Sequence, residues 1–78
     1  PPQVTVFGLS RSGLAAARLL RHLGHAVFLS ESMPASPANA ALREELEALG
    51  VASETGGHSQ AAYAFSSLAV VSPGIPPH

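Results

Sequence analysis

Apolar residues in this chain fall into four short runs, separated by stretches in which they recur at helical spacing. Val4-Thr5-Val6-Phe7 is β-branched and aromatic, is ended by Gly8, and reads as a buried strand. From Ser12 to Leu23 the residues are strong helix formers, with Ala16, Leu19, Leu20 and Leu23 on one stripe. Ser10 or Ser12 can cap the start of that helix, and Gly24 supplies a left-handed stop. Ala26 to Ser30 predicts a second buried strand. After a proline-bearing loop from Met33 to Ser36, Ser36-Pro37 sets an N-cap with proline at the first helical position. Leu42, Leu46 and Leu49 then mark a second helix that Gly50 closes. Val51 to Thr55 predicts a weak third strand before the Gly56-Gly57 turn, and Ser59 to Phe65 a short third helix. Leu68 to Ser72 predicts a fourth strand, apolar along its length as a strand buried on both faces should be, with Pro73 stopping it. The βαβαβαβ order places the chain in the α/β class. It predicts a Rossmann-like parallel sheet with right-handed crossovers and helices on both faces.

Composition narrows the function. At 78 residues the chain is a single domain, of a size that buries only about 60–65% of its unfolded surface. The net charge is −1 and no basic run or basic-aromatic cluster occurs, which argues against a nucleic-acid partner. The absence of cysteine excludes disulfides and thiolate metal sites. No apolar run approaches the roughly 20 residues that span a bilayer, and no signal peptide is visible, so no membrane partner is expected. The chain contains no lysine and no aspartate. A phosphate-binding P-loop requires its lysine and a Ser-His-Asp triad its carboxylate, so the fragment is not expected to catalyse. The opening Pro1-Pro2 and the closing Pro76-Pro77-His78 are expected to be cut points in a longer cytoplasmic protein.

In a sheet of this kind ligands bind beyond the carboxyl ends of the strands, where strand order reverses. Three segments reach that place. Gly8-Leu9-Ser10-Arg11-Ser12-Gly13 joins the first strand to the first helix. Gly8 permits the sharp turn, Gly13 lets the helix pack closely, and the N–H groups at the helix start suit a phosphate. The spacing matches G-x-G-x-x-G with Ser10 at the middle glycine. It also matches a P-loop frame, but Leu14 stands where the lysine belongs and that reading fails. Glu31 follows the second strand, 18 residues after Gly13, where a dinucleotide-binding fold keeps the acid that grips ribose hydroxyls. It is open here whether Glu31 serves NAD-type ribose binding, recognition of another nucleotide's sugar and base, or simply an exposed strand end. Ser72-Pro73-Gly74-Ile75-Pro76 forms a fixed loop that either stops the strand or lets backbone approach a flat ligand.

Taken together, Val6 to Leu20, Gly56-Gly57-His58 and Val70 to Pro76 resemble, in order and spacing, the N-terminal domain of the Mur ligases, specifically the members that add D-glutamate. Ser72-Pro73-Gly74-Ile75-Pro76 is the most specific of these stretches. The resemblance implies a domain that holds the uridine diphosphate of UDP-N-acetylmuramoyl-L-alanine. It implies ATP and magnesium bound by the remaining domains of the same ligase, and no cofactor in this one. It implies that the backbone N–H groups of Arg11 and Ser12, with the Ser12 hydroxyl, meet the diphosphate. Glu31 and Ser32 would lie against uracil and ribose, and Ser72, Pro73 and Gly74 would close the pocket. Three positions depart from the family pattern: Ser10 replaces a glycine, Glu31 is one methylene longer than the usual aspartate, and Met33 falls where many members have arginine.

The four histidines carry no metal in this reading. His22 and His25 are separated by the helix stop at Gly24, His58 is expected to be a solvated residue that helps start the third helix, and His78 is terminal. Glu44, Glu45 and Glu47 with Arg43 form the wet face of the second helix. Two rival functions remain at this point: the NAD-binding half of an oxidoreductase, and a non-enzymatic nucleotide-sensing module.

Overall fold

The computed structural model describes residues 2–66 and 68–71. Its elements are β1 (Val4–Phe7), α1 (Arg11–His22), β2 (Val27–Ser30), α2 (Pro37–Ala48), β3 (Ala52–Glu54), α3 (Gln60–Phe65) and β4 (Leu68–Val71). The four strands form one parallel sheet in the order β3-β2-β1-β4. Each predicted element exists, and among the described residues no end differs by more than one residue. The order runs outward from β1 through β2 to β3, then returns to place β4 on the other side of β1. The reversal therefore lies at the carboxyl ends of β1 and β4.

Strand alternation divides the side chains between two layers. Val6, Val27 and Leu29 point to one face and pack with Leu14, Ala17, Leu46 and Val51 beneath α1 and α2. Leu29 and Leu46 are fully buried, each contributing about 1.5–3 kcal/mol relative to exposure. Thr5, Phe7, Phe28 and Ser30 point to the face covered by α3. Thr5 is buried yet satisfied, because its Oγ1 donates to the carbonyl of Ala62 at 2.8 Å. The Phe28 ring lies 5.8 Å from Phe65 on the same face.

Capping explains where the helices start. Ser10 caps α1, its Oγ accepting from the Gly13 N–H at 3.1 Å. Ser36 and Asn39 form a reciprocal capping box on α2, with Pro37 in the first turn. Two exposed arginines tie the helical layer together. Arg18 pairs with Glu45 at 3.2 Å. Arg21 donates to the carbonyls of Leu49 at 3.0 Å and His25 at 3.1 Å, joining the ends of α2 and α1.

Two packing expectations need correction. The buried face of α1 carries Gly13, Leu14 and Ala17, whereas Leu19 and Leu23 from the expected stripe are 57% and 60% exposed. Gly13 and Ala17 let α1 lie close against the sheet, Leu14 and the partly buried Leu20 pack on the core, and Leu19 and Leu23 turn outward. Strand β4 is likewise not buried on both faces. Leu68 is 49% and Val71 69% exposed, because β4 is an edge strand paired with β1 and α3 lies over β1 and β2.

Candidate functional site

The last residue of each strand falls in one row across the sheet: Glu54, Ser30, Phe7 and Val71. The loops that could hold a ligand begin beyond this row. Gly8 continues it, donating its N–H to the Ser30 carbonyl at 2.9 Å, and turns away with φ +114°. L side chains rarely adopt that conformation. The chain then enters α1 so tightly that a Cβ on Gly13 would meet the Gly8 carbonyl oxygen at 2.1 Å. Both glycines are thus required by geometry. Arg11 and Ser12 are the first two residues of α1 and are exposed. They stand at the positive end of the helix dipole, with no acidic residue in the first turn. Ser10, one of the departures from the family pattern, is here the N-cap, and its Oγ also lies 3.1 Å from the Ser12 hydroxyl.

Glu31 sits against this turn and is only 9% exposed. It is therefore not an exposed strand-end glutamate. One carboxylate oxygen accepts from the Leu9 N–H at 2.5 Å and the other from the Met33 N–H at 2.7 Å, with the Ser32 hydroxyl 3.5 Å away. Its main chain is equally engaged: the Glu31 N–H donates to the Glu54 carbonyl, and its carbonyl accepts from the Gly57 N–H. The structure thus brings the Gly8–Gly13 turn and the Glu31–Met33 loop together through one residue. Ser32 and Met33 are exposed. Ser72, Pro73 and Gly74 lie outside the described residues.

A second polar cluster stands beside the first and was not anticipated. Glu54 accepts from the Ser30 hydroxyl at 2.5 Å, and from the Ser59 N–H at 2.9 Å and hydroxyl at 2.6 Å. These bonds, that from the buried Ser30 foremost, hold its carboxyl below the usual carboxylate range, against a smaller opposing effect of burial. The Nδ1 of His58 lies 2.7 Å from the Ser30 hydroxyl, and the ring meets Phe7 edge-on at 5.0 Å. His58 is exposed, as expected, and is in addition tied to the sheet. The positive φ values of Gly56 and Gly57 fold the β3–α3 turn back to make that contact. The Tyr63 ring also lies 5.4 Å from Phe7. The signal available in the sequence was the alternation that places Ser30 and Glu54 on one sheet face, together with the double-glycine turn before His58.

Of the other histidines, His25 pairs its Nδ1 with the Pro2 carbonyl at 2.9 Å, and His22 is exposed on α1. Among the described residues no group of three His, Asp or Glu side chains converges as a metal site would require.

No protein-family model matches the chain. It is, however, similar over nearly its whole length to curated proteins named UDP-N-acetylmuramoylalanine--D-glutamate ligase. Identity is 42% to the protein of Chlorobium phaeobacteroides, over 97% of this chain and 16% of the relative. It is 46% to that of Chlorobaculum tepidum, over 92% of this chain and 15% of the relative. It is 48% to that of Salinibacter ruber, over 95% of this chain and 15% of the relative. The chain spans about one-sixth of the length of the relatives it matches. By sequence the chain is similar, from end to end, to one domain-sized segment of the UDP-N-acetylmuramoylalanine--D-glutamate ligases.

Proposed function

We propose that this chain is the N-terminal, uridine-diphosphate-binding domain of a cytoplasmic ligase that joins D-glutamate to UDP-N-acetylmuramoyl-L-alanine in peptidoglycan precursor synthesis. The observation that carries the reading is a coincidence of place. The glycine turn that opens α1 lies where the strand order reverses, and it falls in a chain similar throughout to a segment of such ligases. In this reading the amides of Arg11 and Ser12, with the Ser12 hydroxyl, receive the diphosphate at the helix start. The uracil and ribose lie against the Glu31–Ser32 end of β2, and Ser72, Pro73 and Gly74 close the pocket from the strand beyond β1. Gly8 and Gly13 are structural.

The chain's own residues do not fit the ATP and magnesium of such a reaction. There is no lysine to engage a transferring phosphate, and no carboxylate cluster converges among the described residues. That chemistry is assigned to the remaining domains of the ligase. What this domain contributes is binding and orientation of the nucleotide handle.

The test is which nucleotide the chain takes. UDP or UDP-N-acetylmuramoyl-L-alanine added to the labelled protein is expected to shift the NMR amide signals of Arg11, Ser12, Glu31 and Gly74 together. NAD is expected to move at most the first two, because a site that hydrogen-bonds one base leaves polar groups unpaired with another. Tighter binding of NAD than of UDP, with a shift at Glu31, replaces the ligase reading by the oxidoreductase one.

A further inference from the structure

We infer that Glu31 serves the nucleotide as a positioning residue rather than by gripping its ribose; this deepens the nucleotide-binding reading above and rests on it. The acid that ends the second strand of a dinucleotide-binding sheet commonly directs its oxygens at ribose hydroxyls. Here each oxygen has already accepted a backbone N–H, one from Leu9 in the β1–α1 turn and one from Met33 in its own loop. The side chain is nearly buried, so these bonds are made with little competition from water. Such charge-assisted bonds are about twice as strong as neutral ones.

The main chain of the same residue completes the arrangement. Glu31 N–H reaches Glu54 and Glu31 C=O receives Gly57, while Gly56 N–H bonds the Met33 carbonyl at 2.8 Å. One residue thereby fixes three loops at the carboxyl end of the sheet. Leu9 is the link that matters for function, since it stands two residues before Arg11, whose amide opens α1. Fixing the Leu9 N–H sets the path by which the turn delivers the first helical amides. The glutamate's extra methylene also gains a role: reaching Leu9 and Met33 at once takes the longer arm. Sugar and base recognition then falls to Ser32 and to the backbone of neighbouring loops. Two N–H donors on the carboxylate also temper the repulsion that an uncompensated negative charge would exert on a bound diphosphate.

The test compares inorganic pyrophosphate, UDP and uridine on the wild-type chain, Glu31→Gln and Glu31→Asp, with amide hydrogen exchange read in parallel. Glutamine keeps the shape but offers one acceptor oxygen, so it cannot hold both N–H groups. If Glu31 positions the turn, E31Q weakens pyrophosphate and UDP by the same factor, about tenfold, and speeds exchange at Leu9 or Met33. E31D, one methylene short, frees Leu9 in particular and weakens pyrophosphate while keeping the charge. If E31Q weakens UDP and uridine but leaves pyrophosphate binding and both amides unchanged, the carboxylate acts on the sugar and the inference is wrong. Pyrophosphate binding at wild-type strength in a folded E31D chain with a protected Leu9 overturns it as well. Failure of the wild-type chain to bind UDP or pyrophosphate sinks the nucleotide reading, and with it any service of Glu31 to a nucleotide. The exchange rates then still report separately whether the carboxylate holds the turn.

Discussion

Gly13 packs its α-carbon so close to Gly8 that an added methyl carbon would stand 2.1 Å from the Gly8 carbonyl oxygen. Neither partner is the end of a flexible side chain, so the turn itself would have to move. Gly13→Ala is therefore expected to destabilise the fold by about 1–3 kcal/mol, although alanine is the better helix former by roughly 1 kcal/mol. Gly56→Ala makes an informative control. Its Cβ meets nothing within 4 Å, so only the positive φ opposes it, at about 1–2 kcal/mol. Denaturant unfolding of both variants, with UDP titration, should show that only the change at Gly13 also disturbs ligand binding.

The Glu54 carboxyl is held below the usual carboxylate range by Ser30 and Ser59, and the sign of its effect follows. A group whose pKa is lower in the folded than in the unfolded chain stabilises the fold above the unfolded value. That contribution fades as pH falls through the folded value. Wild type should therefore exceed Glu54→Gln in stability at neutral pH, and the gap should narrow on acidification. A gap that is constant or widens toward acid pH contradicts the assignment.

Strand β4 presents Leu68, Ala69, Val70 and Val71 along an edge with no charge and no proline within it. Edges of this kind tend to pair with another chain. Concentration-dependent association is expected in sedimentation or light scattering, and Val71→Lys should reduce it while leaving the circular dichroism spectrum unchanged. Equal association by both proteins would place the contact elsewhere.

The chain alone is expected to turn over no ATP and to form no amide bond. Phosphoryl transfer depends on positioned cations, and the sequence has no lysine. Phosphate release by purified protein, at a rate that tracks the protein through a final separation step, would contradict the division of labour proposed here.

Much of the fold was legible because its signals are local. The runs at Val4–Phe7 and Val27–Ser30, the cap at Ser36 and the stop at Gly50 each act within a few residues. The faces of α1 and β4 were not legible, since they depend on what packs against them. Leu19 and Leu23 look like core until the contact at Gly13 fixes the helix rotation. At the site, glycine spacing disclosed the β1–α1 turn, and strand position disclosed Glu31. The partners of Glu31 could not be read, because Leu9 is 22 residues away and reaches it only through sheet register. The Ser30–Glu54–His58 cluster was hidden for the same reason, being assembled from residues 24 and 28 apart.

That cluster also fixes where a proton sits. Ser30 has one hydroxyl hydrogen, and the Glu54 carboxylate, which has none to give, must receive it. The contact between Ser30 and His58 can then form only if the imidazole donates from Nδ1. The neutral ring is thereby confined to a single tautomer with its lone pair on Nε2, facing away from Ser30. The serine hydroxyl thus fills both its roles within the cluster, donating to Glu54 and accepting from His58, and so couples β3 to the β3–α3 turn through β2.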